Sequence, residues 1–273
     1  MQLTDFIYAS ELKAIAKSYG GSILFEQALE RSARADDLVR LLVNYTKFNE
    51  PAGAGVLNLA GAVAARTDLF RDPRAPEIIA DRSYEIAQDF HFAVATGEIG
   101  EPSLDYKTHR RLTQDFIEVL SEYFGYDITT LHQTMRPYQQ TFAAADKIKE
   151  GYGINQFIYD EKLFRMIGFH NGSEPLADDE FRILYGFLNL RERDFMKYLH
   201  DRKADFWIRF HILEKGENHL SESEHAEKAV IGANKAINFY AGAHSHSYLK
   251  DLVIDGYKNF CEVQKGFMES LVK

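Results

Sequence analysis

The sequence predicts an all-α protein, and three observations carry that expectation. Apolar residues recur at three- and four-residue spacing along almost the whole 273-residue chain. No stretch alternates convincingly as a strand does. Glycine, proline and capping residues interrupt the pattern where helices would stop and start. The reading is a single all-α domain over residues 1–273 with about nine to eleven helices. It contains no internal repeat, low-complexity segment or linker.

Taken in order, Phe6, Leu12, Ile15, Ala16 and Tyr19 form a stripe that stops at Gly20-Gly21, a pair suited to a helix end. Residues 23–33 and 38–48 are further amphipathic pieces. Pro51 opens the small-residue segment AGAGVLNLAGAVAAR, read as a tightly packed interior helix. A phosphate loop is rejected there, because the Gly-Lys-Ser/Thr ending and a preceding strand are missing. After Pro73 and Pro76, Ile78 to about Thr96 reads as a helix. A loop follows, and Asp105 or Thr108 caps a helix that runs to Tyr123 and ends at Gly125. A helix from Thr129 to about Glu150 carries Pro137 as a kink, and GYGINQ is a turn. Helical pieces follow over 160–170, 174–190 and 192–215. Ser221 and Glu224 have capping-box spacing for a helix to about Gly242. A last helix covers 247–271, with His244 and His246 in the turn before it.

Composition narrows the function. The chain is 45% hydrophobic and 27% charged, with a net charge of −9 and a pI near 5.6. Without a basic stripe it is a poor partner for nucleic acid or an anionic membrane. The single cysteine, Cys261, cannot form an internal disulfide and suits a reducing compartment. The N-terminus lacks the layout of a secretory signal. No apolar run approaches the roughly 20 residues needed to cross a bilayer. A soluble, cytoplasmic protein is expected.

With one cysteine, a thiolate zinc site is excluded, and no G-x-S-x-G turn is present for serine chemistry. Oxygen and imidazole chemistry remains. The stretch FHILEKGENHLSESEHA holds His211, His219 and His225 among Glu214, Glu217, Glu222 and Glu224. Glu222 and His225 are three apart, the spacing of a metal-binding pair on one helix face. A charged, solvated helix junction is the plainer reading of the same residues. Glu98 with His109, and Glu174 one turn after His170, add two further acid–histidine groupings. Their plainer readings are loop charges with a cap, and a helix junction with Ser173 as N-cap and Pro175 just inside.

The segments AVATGEIGE, THRRLTQ, GFHNGSEPLADDEF and FWIRFH with EHAEKAV, in that order, resemble the haem-oxygenase-like di-metal oxidase group. Within it the likeness is to the chlamydial death-domain-associated protein and its cyanobacterial relatives, over about residues 50–245. The resemblance implies a compact haem-oxygenase-like bundle, shared with thiaminase-II-like and quinone-synthase-like proteins. It also implies a pocket for two iron(II) ions, with manganese as the alternative metal. Glu98 matches the first carboxylate ligand, with Glu101 as its alternate, and His109 matches the histidine that follows. Glu174 matches the carboxylate of the third ligand helix. The last ligand helix of the family carries His, an acid four later and His three beyond that. Here His211, Glu222 and His225 fit only if KGENHLSE loops out. Otherwise His219 replaces a ligand, or Glu214 and His219 complete the set. His170 is read as a neighbour that hydrogen-bonds a ligand, with Asp178 and Asp179 as other candidates for that role.

The function so implied is an oxidase or oxygenase. It would use dioxygen to oxidise or cleave a small carboxylate-bearing substrate, an amino acid or fatty acid, and a homodimer is compatible with it. Tyr84, Tyr152 and Tyr159 are the tyrosines to locate relative to the metal. A metal-free enzyme of the same fold and a helical interaction module are the alternatives.

Overall fold

A computed structural model describes residues 4–70, 109–212 and 222–273. Among these residues the protein is all helix, with no strand and one isolated bridge between Phe70 and Tyr240. The helices are α1 (Ala9–Tyr19), α2 (Gly21–Arg31), α3 (Ala35–Asn49), α4 (Ala52–Ala65), α5 (His109–Phe124), α6 (Ile128–Thr134) and α7 (Gln139–Gly151). They continue as α8 (Asp160–Arg191), α9 (Arg193–Asp201), α10 (Phe206–Ile212), α11 (Glu222–Phe239) and α12 (His246–Leu271). No described helix is long and apolar enough to cross a membrane. The expected helix over 78–96 lies outside the described residues.

Helix α8 is the axis of the bundle. Its 32 residues span about 48 Å, and every residue from Met166 to Gly172 is buried, as expected of a helix covered on all sides. Helix α12 lies along it so closely that side chains are excluded where the two backbones touch. A Cβ on Gly168 would sit 1.9 Å from the Val253 carbonyl oxygen, and one on Gly256 would sit 2.0 Å from that of Arg165. Helices α2, α10 and α11 also pack on α8, and α3 and α4 meet α7.

Three boundaries and the burial of one helix differ from the sequence expectation. The pieces 160–170 and 174–190 are one helix, so Ser173 is not an N-cap. Its hydroxyl donates back to the His170 carbonyl at 2.8 Å, and Pro175 lies inside the helix. A proline there removes one backbone bond at a cost of about 3 kcal/mol, which the burial around it offsets. Pro137 does the opposite, ending one helix and separating α6 from α7. The residue before a proline is pushed out of helical geometry. Asn44 of α3 then holds the new start, accepting from the Tyr138 N–H at 2.8 Å and the Thr141 hydroxyl at 2.5 Å. The segment 192–215 is also split, with Lys203 at φ 58 between α9 and α10. These breaks raise the number of α-helices among the described residues to twelve. Finally, the small-residue helix α4 buries one face and exposes Ala54, Gly61 and Ala64, so it is not an interior helix.

Other stops agree with the sequence. Gly20 and Gly125 take φ 72 and 75, and Ser245 caps α12 through the Tyr248 N–H. The extended segment before α1 is clasped by two asparagines one turn apart on α11. Asn234 Oδ1 accepts from the Phe6 and Ile7 N–H groups at 2.8 and 2.9 Å, and its amide donates to the Ile7 carbonyl at 2.9 Å. Asn238 exchanges a pair of bonds with Thr4 at 3.0 and 2.7 Å.

Candidate metal centre

The predicted ligands divide into those whose side chains are described and those whose side chains are not. Glu98, Glu101, Glu214 and His219 lie outside the described residues. His109 opens α5, Glu222 opens α11 and His225 lies one turn in, all three placed through their backbone alone. Helix α10, which carries His211, packs against α5, α8 and α11. The helices bearing His109, Glu174, and Glu222 with His225 are therefore all neighbours of the short helix that bears His211.

Glu174 and His170 come together directly. Both are 8% exposed, and His170 Nδ1 lies 3.2 Å from Glu174 Oε1 across one turn of α8. Tyr152, the C-cap residue of α7, brings its hydroxyl to 3.2 Å from the same Nδ1 and 2.8 Å from Ser173 Oγ. Of the other tyrosines considered, Tyr159 is half exposed at the start of α8, and Tyr84 lies outside the described residues. Asp178 pairs with Arg182 at 2.9 Å. Asp179 is exposed at its surface, and its carboxyl is pushed up by partial desolvation and the charge of Asp178.

His211 is buried and stacks on Phe181, with ring centroids 3.8 Å apart at an interplanar angle of 7°. Phe181 is seven residues after Glu174, two turns along the same face of α8. His211 Nδ1 is 2.6 Å from the Trp207 carbonyl oxygen. A carbonyl only accepts, so Nδ1 carries the proton and Nε2 is the nitrogen with the lone pair in the neutral ring. Trp207 packs against Phe116 of α5 and Phe181 of α8, with centroids 4.7 and 5.2 Å away, which fixes the helix that carries His211.

One buried acid had not been singled out. Glu180 is fully enclosed, accepting from the Tyr45 hydroxyl at 2.8 Å and from the Gln264 amide at 2.6 Å. Burial pushes its carboxyl up to about 7, against the smaller lowering effect of those two donors. Its sequence signal is the stripe Leu176, Glu180, Leu184, Leu188, in which an acid holds one position of an apolar run at four-residue spacing. Near the start of α8, an open cleft of about 410 Å³ is lined by Lys147, Glu150, Lys162 and Glu262 among others, and none of the predicted ligands borders it.

Among the described residues no group of three or more His, Cys, Asp or Glu could hold a metal ion. Only Glu174 and His211 of the proposed ligands contribute described side chains. Those two fit the group chemically: a buried carboxylate, and a buried imidazole whose protonated nitrogen is already engaged by a carbonyl, are oxygen and nitrogen donors suited to iron or manganese. Neither the protein-family models nor the curated proteins compared with the chain match it.

Proposed function

We propose that the protein is an iron-dependent oxidase or oxygenase of haem-oxygenase-like fold, acting with dioxygen on a small carboxylate-bearing substrate. The observation that carries this reading is His211. It is buried, stacked and held by the Trp207 carbonyl in the tautomer that offers Nε2, on a helix packed against the one that bears Glu174. Glu174 and His211 would hold the metal together with His109, Glu222 and His225, and with Glu98 from the preceding segment. Bound iron(II) would supply the electrons that dioxygen chemistry requires. The chain's own residues do the rest: the carbonyl of Trp207 fixes the His211 ring, Phe181 covers its face, and His170 donates to Glu174. Aromatic rings around Trp207 keep this side of α8 dry, which strengthens every charge interaction there.

Anaerobic titration of the metal-free protein with iron(II) tests the reading. About two irons per chain are expected, as for carboxylate-bridged sites in helical bundles. Glu174→Gln and His211→Ala should each weaken binding by at least about tenfold. One iron per chain would point to an incomplete second site on α11. No binding would sink the oxidase reading and leave a metal-free enzyme or an interaction protein of this fold.

A further inference from the structure

The hydroxyl of Tyr152 and that of Ser173 each carry one proton, and their neighbours decide where it goes. Ser173 donates to the His170 carbonyl at 2.8 Å. Its oxygen must then accept in the 2.8 Å contact with Tyr152, so the phenol donates to the serine. The phenol oxygen, 3.2 Å from His170 Nδ1, faces that nitrogen as an acceptor, and Glu174 Oε1 at 3.2 Å does the same. Ser173 Oγ lies 3.4 Å from the same nitrogen, and a proton on Nδ1 of His170 is what the carboxylate oxygen of Glu174, which only accepts, requires of it.

We propose that Tyr152 and Ser173 are positioning residues for Glu174, acting through His170: together they fix the plane of the imidazole, whose Nδ1 in turn faces Oε1 of Glu174. The chain draws on two helices that are far apart in sequence order, Tyr152 at the end of α7 and the other three residues on one face of α8. Tyr152 is 1% exposed and cannot replace these partners with bulk water. Its ring also packs edge-on against Phe169, with centroids 5.2 Å apart, so Tyr152→Phe keeps the packing and removes only the hydroxyl. The metal-directed purpose of the chain rests on the iron-dependent reading above; the chain itself does not.

Two measurements separate them. In the metal-free protein, ¹⁵N spectra of labelled histidine identify the His170 ring by the signal lost in His170→Gln. The wild-type ring should show a protonated Nδ1, and the pattern should shift in Tyr152→Phe and Ser173→Ala. An unprotonated Nδ1, or spectra that neither variant changes, would overturn the proposal. In iron(II) titrations both variants should bind about tenfold more weakly than wild type, at unchanged helical content. Affinities within about twofold of wild type would overturn the positioning role. A wild-type protein that binds no iron at all would remove the metal-directed role along with the oxidase reading, and the ring spectra would still decide whether the hydrogen-bond chain exists.

Discussion

Glu174 and Glu180 sit six residues apart on α8, both buried, and their surroundings differ completely. Glu174 faces a histidine, and behind that histidine a tyrosine and a serine. Glu180 faces a tyrosine of α3 and a glutamine of α12, and burial, against the lowering effect of those two donors, pushes its carboxyl to about 7. A helix turns about 600° over six residues, so the two side chains point about 120° apart. One belongs to the side covered by α10 and the turn after α7, the other to the seam between α3 and α12. Two acids of the same type on one helix thus become a candidate ligand and a buried strut. Burial is common to both, and the partner decides the use.

The largest effect should come from the contact on which both depend. Gly168→Ala forces α8 and α12 apart at a backbone–backbone contact and should cost about 3 kcal/mol or more, read as a drop of roughly 6–12 °C in Tm. If the loss is under about 1 kcal/mol, the two helices are not held together as described. Glu180→Gln tests the strut. The folded carboxyl lies at about 7 against an ordinary value of 4.5. The folded protein therefore keeps a proton that the unfolded chain gives up, and wild-type stability falls as pH rises through that window. The difference amounts to about 3 kcal/mol by linkage. The glutamine variant should be flat across the window and overtake wild type by pH 8, with iron binding unchanged. Gln264 can follow by turning its amide, since its Oε1 has no hydrogen-bond partner. Parallel pH profiles for the two proteins would refute the assignment. The smallest effect belongs to Asp178→Ala, between the two acids in sequence. It breaks an exposed pair with Arg182 and should change stability by less than about 0.5 kcal/mol. A loss of iron affinity there would show that the site reaches further around α8 than Glu174 and His170.

Much of the fold was legible because its signals are local. Gly20 and Gly125 stop helices through their own backbone angles, and the 3.6-residue periodicity persists wherever a helix has one buried face. What was not legible depends on partners far along the chain. Pro175 reads as a helix start and Pro137 as a kink, yet the first is inside a helix and the second ends one. The difference lies in the continuous burial of α8 over 166–172, just ahead of Pro175, and in the Asn44 side chain that holds the start of α7 from a distance of 94 residues. The acid–histidine pairing of Glu174 with His170 was visible as an i, i+4 spacing. The contact of Tyr152 with His170 was not, because a residue in a turn announces nothing about which helix its hydroxyl will meet. Glu180 was overlooked since a charged residue inside DDEF reads as solvated, and only its place in a leucine stripe sets it apart.

The asparagine clasp on α11 has a consequence for how the protein is made. Thr4, Phe6 and Ile7 leave the ribosome well before their hydrogen-bond partners, which follow 227–234 positions later. At roughly 5–20 residues per second, that is a wait on the order of ten to fifty seconds. Helix α1, which packs on α12, waits longer still. The segment before α1 thus docks only after α11 is made, and while it waits it is exposed to proteases and chaperones that the finished bundle excludes.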